Sequence, residues 1–117
     1  MAAPNVANVA TITGKTAVQA VGTSATAIVT NSSGSNKVLK VNALYVSNVD
    51  GTNSADVDVD LFRSSVAYRI ARTVAVPADA TLDVISKPIY LEEGDSLRLT
   101  ASAASDLEAV CSYEEIS

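Results

Sequence analysis

The most constraining feature of this sequence is a strict alternation of apolar and polar residues. Residues 56–63 read Asp-Val-Asp-Val-Asp-Leu-Phe-Arg, so Val57, Val59 and Leu61 share one side of an extended chain. Further period-two runs, bounded by turn-forming residues, occur at 37–48, 66–72, 97–101 and 107–113. A helix would instead repeat its apolar residues every three to four positions. The pattern therefore predicts strands that each bury one face.

The composition agrees with a sheet protein. Val, Ile and Thr make up 32 of the 117 residues, and these β-branched side chains fit a pleated surface. Eight or nine short strands at spacings of about 8–12 residues, without a helical stretch, indicate an antiparallel sandwich. We therefore predict an all-β fold, a single jelly-roll-like β-sandwich domain that spans residues 1–117.

Charge and residue types exclude several chemistries. The net charge is −5, whereas a nucleic-acid-binding face needs basic residues, so no nucleic acid partner is expected. Histidine is absent, so no Ser-His-Asp triad can form, and Cys111 stands alone without the usual zinc ligands. No enzymatic activity and no cofactor are predicted, and Cys111 is expected to be a buried apolar residue.

Two acidic segments could suggest other functions. An EF-hand loop that began at Asp56 would need glycine and glutamate where Leu61 and Ala67 stand, so a solvated strand face is favoured over a metal site. The segment 92–95, Glu-Glu-Gly-Asp, is interpreted as a polar turn and not as a pair of catalytic carboxylates. No stretch approaches the 18 apolar residues of a membrane helix, so no membrane partner is expected.

Residues 56–72 are predicted to form a β-hairpin. If Leu61 pairs with Val66, Phe62 to Ser65 form a four-residue loop and Asp58 lies opposite Arg69. The residues then expected in the core are Val57, Val59, Leu61, Val66, Tyr68 and Ile70. The residues then expected on the solvent side are Asp56, Asp58, Asp60 and Arg69.

Aromatic residues are scarce, which bears on carbohydrate binding. Sugars stack on aromatic rings, and the chain has no Trp, four Tyr and one Phe. Tyr45, in alternation with Leu39 and Val41, and Tyr68 are predicted to face inward. Phe62, in the predicted loop, is a candidate contact residue.

The N-terminal third differs from the rest of the chain, because residues 1–36 carry a single charge, Lys15. An exposed apolar strand would promote aggregation unless another chain covered it. We expect residues 16–30 to supply the first strands of the sandwich. Residues 1–13 are a candidate intersubunit arm, and Val6, Val9 and Ile12 are candidate interface residues. A homo-oligomer, as a trimer, is the expected assembly.

Three segments resemble a group of small virion structural proteins from tailed phages, including marine cyanobacterial phages. These segments are Val41–Asn48, Val76–Leu82 and Ile89–Ser102. The resemblance implies a β-sandwich located in the virion, without catalytic residues, whose partners are the major capsid protein or other virion proteins. Small size, a single domain, low aromatic content and acidic charge favour a capsid decoration protein. The alternative is a tail- or fibre-associated module that binds a receptor or glycan.

Overall fold

The structure, a computed structural model, describes residues 11–117. This part of the chain forms nine β-strands and no helix, which confirms the predicted all-β class. The strands are β1 (Ile12–Val21), β2 (Thr26–Thr30), β3 (Val38–Asn48), β4 (Ala55–Arg63), β5 (Val66–Val76), β6 (Thr81–Asp83), β7 (Ile89–Leu91), β8 (Ser96–Ala101) and β9 (Leu107–Ile116).

The strands pair in a nested order. β1 pairs with β9, β2 with β8, β3 with both β6 and β7, and β4 with β5, always antiparallel. β9 also pairs with β3 and β8 with β4, which gives sheet I (β1-β9-β3, then β6 and β7 along the far side of β3) and sheet II (β2-β8-β4-β5). A long antiparallel hairpin that is rolled in this way into two sheets is a jelly roll, as the sequence predicted.

The core is aliphatic and includes residues from both sheets. Leu44 and Val46 of sheet I and Val57, Leu97 and Leu99 of sheet II are fully buried in one cluster. Burial of each such side chain stabilises the fold by roughly 1.5–3 kcal/mol. No helix long and apolar enough to cross a membrane occurs in residues 11–117.

The predicted register of the β4–β5 hairpin is wrong by two residues. Arg63 lies opposite Val66 and Leu61 opposite Tyr68, so the turn contains only Ser64 and Ser65. Both serines have positive φ values, 52° and 62°. Such a two-residue turn matches the right-handed twist of the strands, but its usual Asn-Gly signature is missing.

A shift of two residues alone would keep each side chain on its predicted face, but the bulges in β5 and its position at the sheet edge change which side chains are buried. Val57 and Val59 lie in the core as predicted. Val66 and Tyr68 are exposed, since they lie near the turn on an edge strand. Ile70 is also exposed, because it is an extra residue with no partner on β4: Asp60 pairs with Arg69 and Val59 with Ala71. The prediction that Val66, Tyr68 and Ile70 lie in the core is therefore wrong.

A β-bulge in β3 reverses another prediction. Asn42 has no partner on β9, because Val41 pairs with Tyr113 and Ala43 with Ser112. Leu39 and Val41 face the core, but beyond the bulge Leu44 and Val46 face it instead. Tyr45 consequently points away from the core, contrary to the prediction, and is 45% exposed.

Candidate interaction surface

The predicted interface residues lie in different parts of the molecule. Val6 and Val9 fall outside the described residues. Ile12 is exposed at the start of β1, opposite Ile116 of β9. Thr11 and Ser117 extend this pairing, since each backbone N–H donates to the other residue's carbonyl at 3.0 and 2.9 Å. Residues 11–13 of the proposed arm therefore belong to sheet I of their own chain.

Phe62 lies on β4 and not in the predicted loop. It is part-buried, and the guanidinium carbon of Arg98 stacks over its ring at 3.9 Å from the centroid. One face of the ring is therefore occupied by the chain itself. This arrangement makes Phe62 a support for Arg98 and leaves less of the ring for a partner or a sugar.

The outer face of sheet I carries an exposed apolar row. Val18 of β1 lies opposite Val110 of β9, and Val110 lies opposite Tyr45 of β3. Their exposed fractions are 75%, 40% and 45%. Cβ atoms of directly opposed residues are about 4.5–5.5 Å apart, so the three side chains form one continuous row. We call Val18, Val110 and Tyr45 the apolar row.

Polar residues border the apolar row on both sides. Glu108, between Ala20 and Ser47, precedes it along the strands, and Ser112 follows it. A shallow depression of about 330 Å³ adjoins the row between β1 and β9, with Ala20 and Glu108 in its lining. An exposed apolar patch with a polar rim is typical of a protein–protein contact.

The sequence does not predict this row. Val18 falls among residues 16–30, which are expected in the chain's own sandwich, Tyr45 is expected in the core, and Val110 carries no prediction. The missing signal is the bulge at Asn42, since a polar residue in a strand does not by itself distinguish a bulge from ordinary alternation. Val110 could have been found from its neighbours, because Glu108 and Ser112 share its face in a period-two pattern.

Asp60 was predicted to be solvated, and this prediction is wrong. Its side chain is fully buried on the outer face of sheet II, where Arg98, opposite it on β8, donates from Nε to Oδ1 at 2.9 Å. Arg69, opposite it on β5, brings Nη1 to 3.6 Å of Oδ2. Phe62, held under Arg98, covers the same region. Asp60 is therefore the anion that holds two arginines on this face.

Asp58, also on β4, contacts the edge strand β5. Its Oδ1 accepts a hydrogen bond from the backbone N–H of Thr73 at 2.6 Å, and Arg69 Nη1 lies 3.9 Å from Oδ2. Arg69 thus contacts the predicted partner Asp58, although its strand partner is Asp60. Within residues 11–117, no three acidic, Cys or His side chains are grouped as metal ligands.

A second ion cluster joins the β4–β5 turn to the loop before β8. Arg63 donates from Nε and Nη2 to the two carboxylate oxygens of Asp95, at 2.7 and 2.6 Å, and from Nη2 to Glu92 at 2.9 Å. The hydrogen bonds from Arg63 lower the pKa of Asp95, and a backbone N–H from Glu92 assists. Because each acidic group is already bonded within the chain, we interpret this cluster as structural.

Cys111 lies in the core on β9, as predicted. Burial disfavours the thiolate and raises the pKa of this thiol to about 11. The thiol is therefore neutral at physiological pH and enclosed by apolar side chains.

The exposed tyrosines do not form a sugar-binding platform in the described part of the chain. Tyr68 lies on sheet II, whereas Tyr45 and Tyr90 lie on sheet I. Tyr90 is opposite Lys40, which precedes Tyr45 by five residues, so the two rings are separated by roughly 15 Å along β3. The carbohydrate-binding alternative thus has no pair of adjacent rings to support it.

Comparisons with known proteins point to the fold alone. No protein-family model and no curated protein sequence matches the chain. One solved structure with a similar fold comes from Bacillus endospore appendages, described as a novel family of disulfide-linked pili. The two chains superpose with a TM-score of 0.54 over 100% of this chain and 96% of the other, at 12% sequence identity.

Proposed function

We propose that this chain is a non-enzymatic structural protein of a phage particle, most simply a capsid decoration protein that binds the major capsid protein. The observation that carries the proposal is the apolar row on the outer face of sheet I, formed by Val18, Val110 and Tyr45. On a shell, this row would pack against apolar side chains of the capsid protein, and its polar rim would lie at the edge of the contact.

Three further features support a structural role. The resemblance to tailed-phage virion proteins covers three segments between residues 41 and 102. The Arg63–Asp95 ion pair joins the end of β4 to the loop before β8, and the Arg98–Asp60 ion pair joins β8 to β4, so both brace sheet II. The jelly roll also occurs widely in viral capsid domains. A rigid scaffold with an exposed apolar contact surface suits a subunit that docks on a larger assembly.

The proposal can be tested with shells assembled from the major capsid protein that is encoded in the same genome. Cosedimentation should recover wild-type protein with the shells, and Val110→Lys should weaken binding at least tenfold by placing a charge in the contact. Val66→Lys is the matched control, because Val66 is a similarly exposed valine on sheet II. Equal binding by both variants, or no binding by the wild type, would contradict the proposal.

A second candidate function is a subunit of a filamentous appendage, favoured by the similarity in fold to the endospore pilus chain. Cross-linking by disulfides could not use Cys111, which is buried and has a raised pKa. Electron microscopy of the purified protein separates the two candidates. Filaments formed by the protein alone would favour the appendage, whereas discrete particles that bind shells would favour decoration.

A further inference from the structure

Within residues 11–117, the two sheets have four edges, which differ in how readily they can pair with another strand. On sheet II, β2 has only five residues and a register shift, and β5 has two register shifts that produce bulges. The far edge of sheet I is divided between β6 and β7, three residues each, and Pro88 directly precedes β7. Short strands, bulges and proline all discourage edge-to-edge pairing.

β1 has none of these features. Its ten residues pair with β9 in one unbroken register, and its other side has no strand partner among the described residues. Lys15, its one charged residue, forms an ion pair with Glu115 at 3.3 Å. β1 is therefore a long edge in one regular register whose single charge is paired, the kind that accepts a further strand.

We propose that two copies of this chain pair through β1, antiparallel and around a two-fold axis, so that two copies of sheet I become one continuous sheet. This inference goes beyond the proposed function, because it concerns contact between copies and not contact with a particle. Two registers give the longest overlap between the two copies of β1, which is nine residues. In one of them the axis passes beside Thr16, and in the other it passes beside Ala17. Both keep the apolar rows of the two copies on the same face.

A second copy is the occupant that the edges favour. A head-to-tail contact would need another open edge to receive β1, and the remaining edges of the described chain are short, bulged or interrupted. A two-fold contact needs only β1 itself, because each copy presents the same surface. Nine residues facing nine supply about nine backbone hydrogen bonds, close to the roughly ten of an average interface. Because the one charge of β1, on Lys15, is paired with Glu115, this edge adds little to the repulsion between two chains of net charge −5.

Light scattering after size-exclusion chromatography tests the stoichiometry. We expect a mass of twice 12.0 kDa that falls on dilution. A double variant, Thr16→Lys and Val18→Lys, brings like charges together beside the axis. It should therefore raise the dimer Kd at least tenfold. The matched control is Ser112→Lys with Val110→Lys, since these residues lie opposite Thr16 and Val18 but one strand from the edge. The control pair should change Kd less than threefold, although its lysine at position 110 should still weaken binding to shells.

Single cysteines locate the axis, since Cys111 is buried and does not react. With a bismaleimide that spans about 8 Å, Thr16→Cys should cross-link to its own copy in either register. Thr13→Cys should not, because its two copies would be at least about 20 Å apart. A monomer, equal effects of the two lysine pairs, or cross-linking at Thr13 would overturn the inference. A mass of three chains would also overturn the inference and would favour the expected trimer. Loss of the dimer on deletion of residues 2–10 would overturn it as well.

Discussion

Replacing Asp95 with asparagine should destabilise the protein more than replacing Glu92 with glutamine, although both carboxylates contact Arg63. Asp95 is 1% exposed and accepts two hydrogen bonds from the guanidinium and one from the backbone N–H of Glu92. The Glu92 side chain is 66% exposed and accepts one hydrogen bond. The contrast follows from burial, because water can replace the lost partner only at Glu92.

The magnitude can be worked from these contacts. Asparagine keeps the shape and one oxygen of Asp95, so it loses one charge-assisted hydrogen bond and turns an amide N–H₂ group towards Arg63. Such a bond contributes about 1.5–3 kcal/mol, and the partial exposure of Arg63 favours the lower half, so we expect a loss of about 2 kcal/mol. For a domain of this size, this loss lowers Tm by roughly 8 °C. Glu92→Gln should cost less than about 0.5 kcal/mol, as for exposed ion pairs.

Urea unfolding at several pH values provides the assay. Because Arg63 lowers the pKa of Asp95, the carboxylate stabilises the folded state above the unfolded pKa of about 3.9, and this stabilisation is lost as pH falls through the folded pKa. The gap in free energy of unfolding between wild type and Asp95→Asn should be full at pH 7 and shrink below about pH 4. A gap that does not change with pH, or an Asp95→Asn variant as stable as Glu92→Gln, would refute this reasoning.

Three further predictions test the turn, the bulge in β3 and the cysteine. Replacing Ser64 with Asn and Ser65 with Gly should raise the free energy of unfolding by about 0.5–1 kcal/mol, since both positions have positive φ; a decrease in urea unfolding would contradict the turn assignment. Leu44→Ala should lower the free energy of unfolding by about 2–5 kcal/mol and Tyr45→Ala by less than about 1 kcal/mol, because Leu44 is buried and Tyr45 is exposed. In a strand without the bulge, thermal unfolding would show the larger loss for Tyr45→Ala. Cys111 should react with a thiol reagent at pH 8 only after unfolding, and rapid labelling of the folded protein would show that the core is open there.

Most of the fold could be predicted from the sequence because the strands alternate clearly and the turns between them are chemically distinct. The loop after Thr30, with Asn, Ser and Gly, separates β2 from β3, and Pro77 with Asp79 separates β5 from β6. Alternation then gives the buried face wherever a strand is regular, as for Val57 and Val59. The number and spacing of such strands indicate an antiparallel sandwich, whereas the order of the strands depends on pairings that the sequence does not show.

Two errors occur where an extra residue in one strand changes the pairing, and the error in the hairpin register comes from a turn of two residues where four were expected. Asn42 and Ile70 each lack a partner, and each alters which neighbouring side chains face the core. Nothing in their identity distinguishes them from ordinary strand residues, because a bulge depends on contacts across the sheet. The burial of Asp60 was missed for a related reason. Its partners Arg98 and Arg69 come from strands distant in sequence, and only the register brings them together.

The candidate surface was predictable in part. The low charge of residues 1–36 leads to the hypothesis of an intersubunit arm at residues 1–13, and Ile12, one of its candidate interface residues, is exposed on β1. The apolar row required the pairings of β1 with β9 and of β9 with β3, which join residues far apart in sequence. Such a surface cannot be found before the register is known, since an error of one residue turns each side chain to the opposite face.

Two aspartates of β4, Asp58 and Asp60, contact the neighbouring edge strand β5. Asp58 accepts the N–H of Thr73, a residue with φ of 53°, at the point where two residues of β5 face one residue of β4. This contact stabilises a bulge that would otherwise cost a strained residue and a ladder hydrogen bond. Asp60 also forms an ion pair with Arg69 of β5, and this contact holds a charged side chain on that edge strand. β5, with eleven residues, is thus blunted by contacts from its neighbour, whereas β1, with ten residues, has no bulge and no such contact within residues 11–117. This difference between the two long edges is the physical reason to expect association through β1.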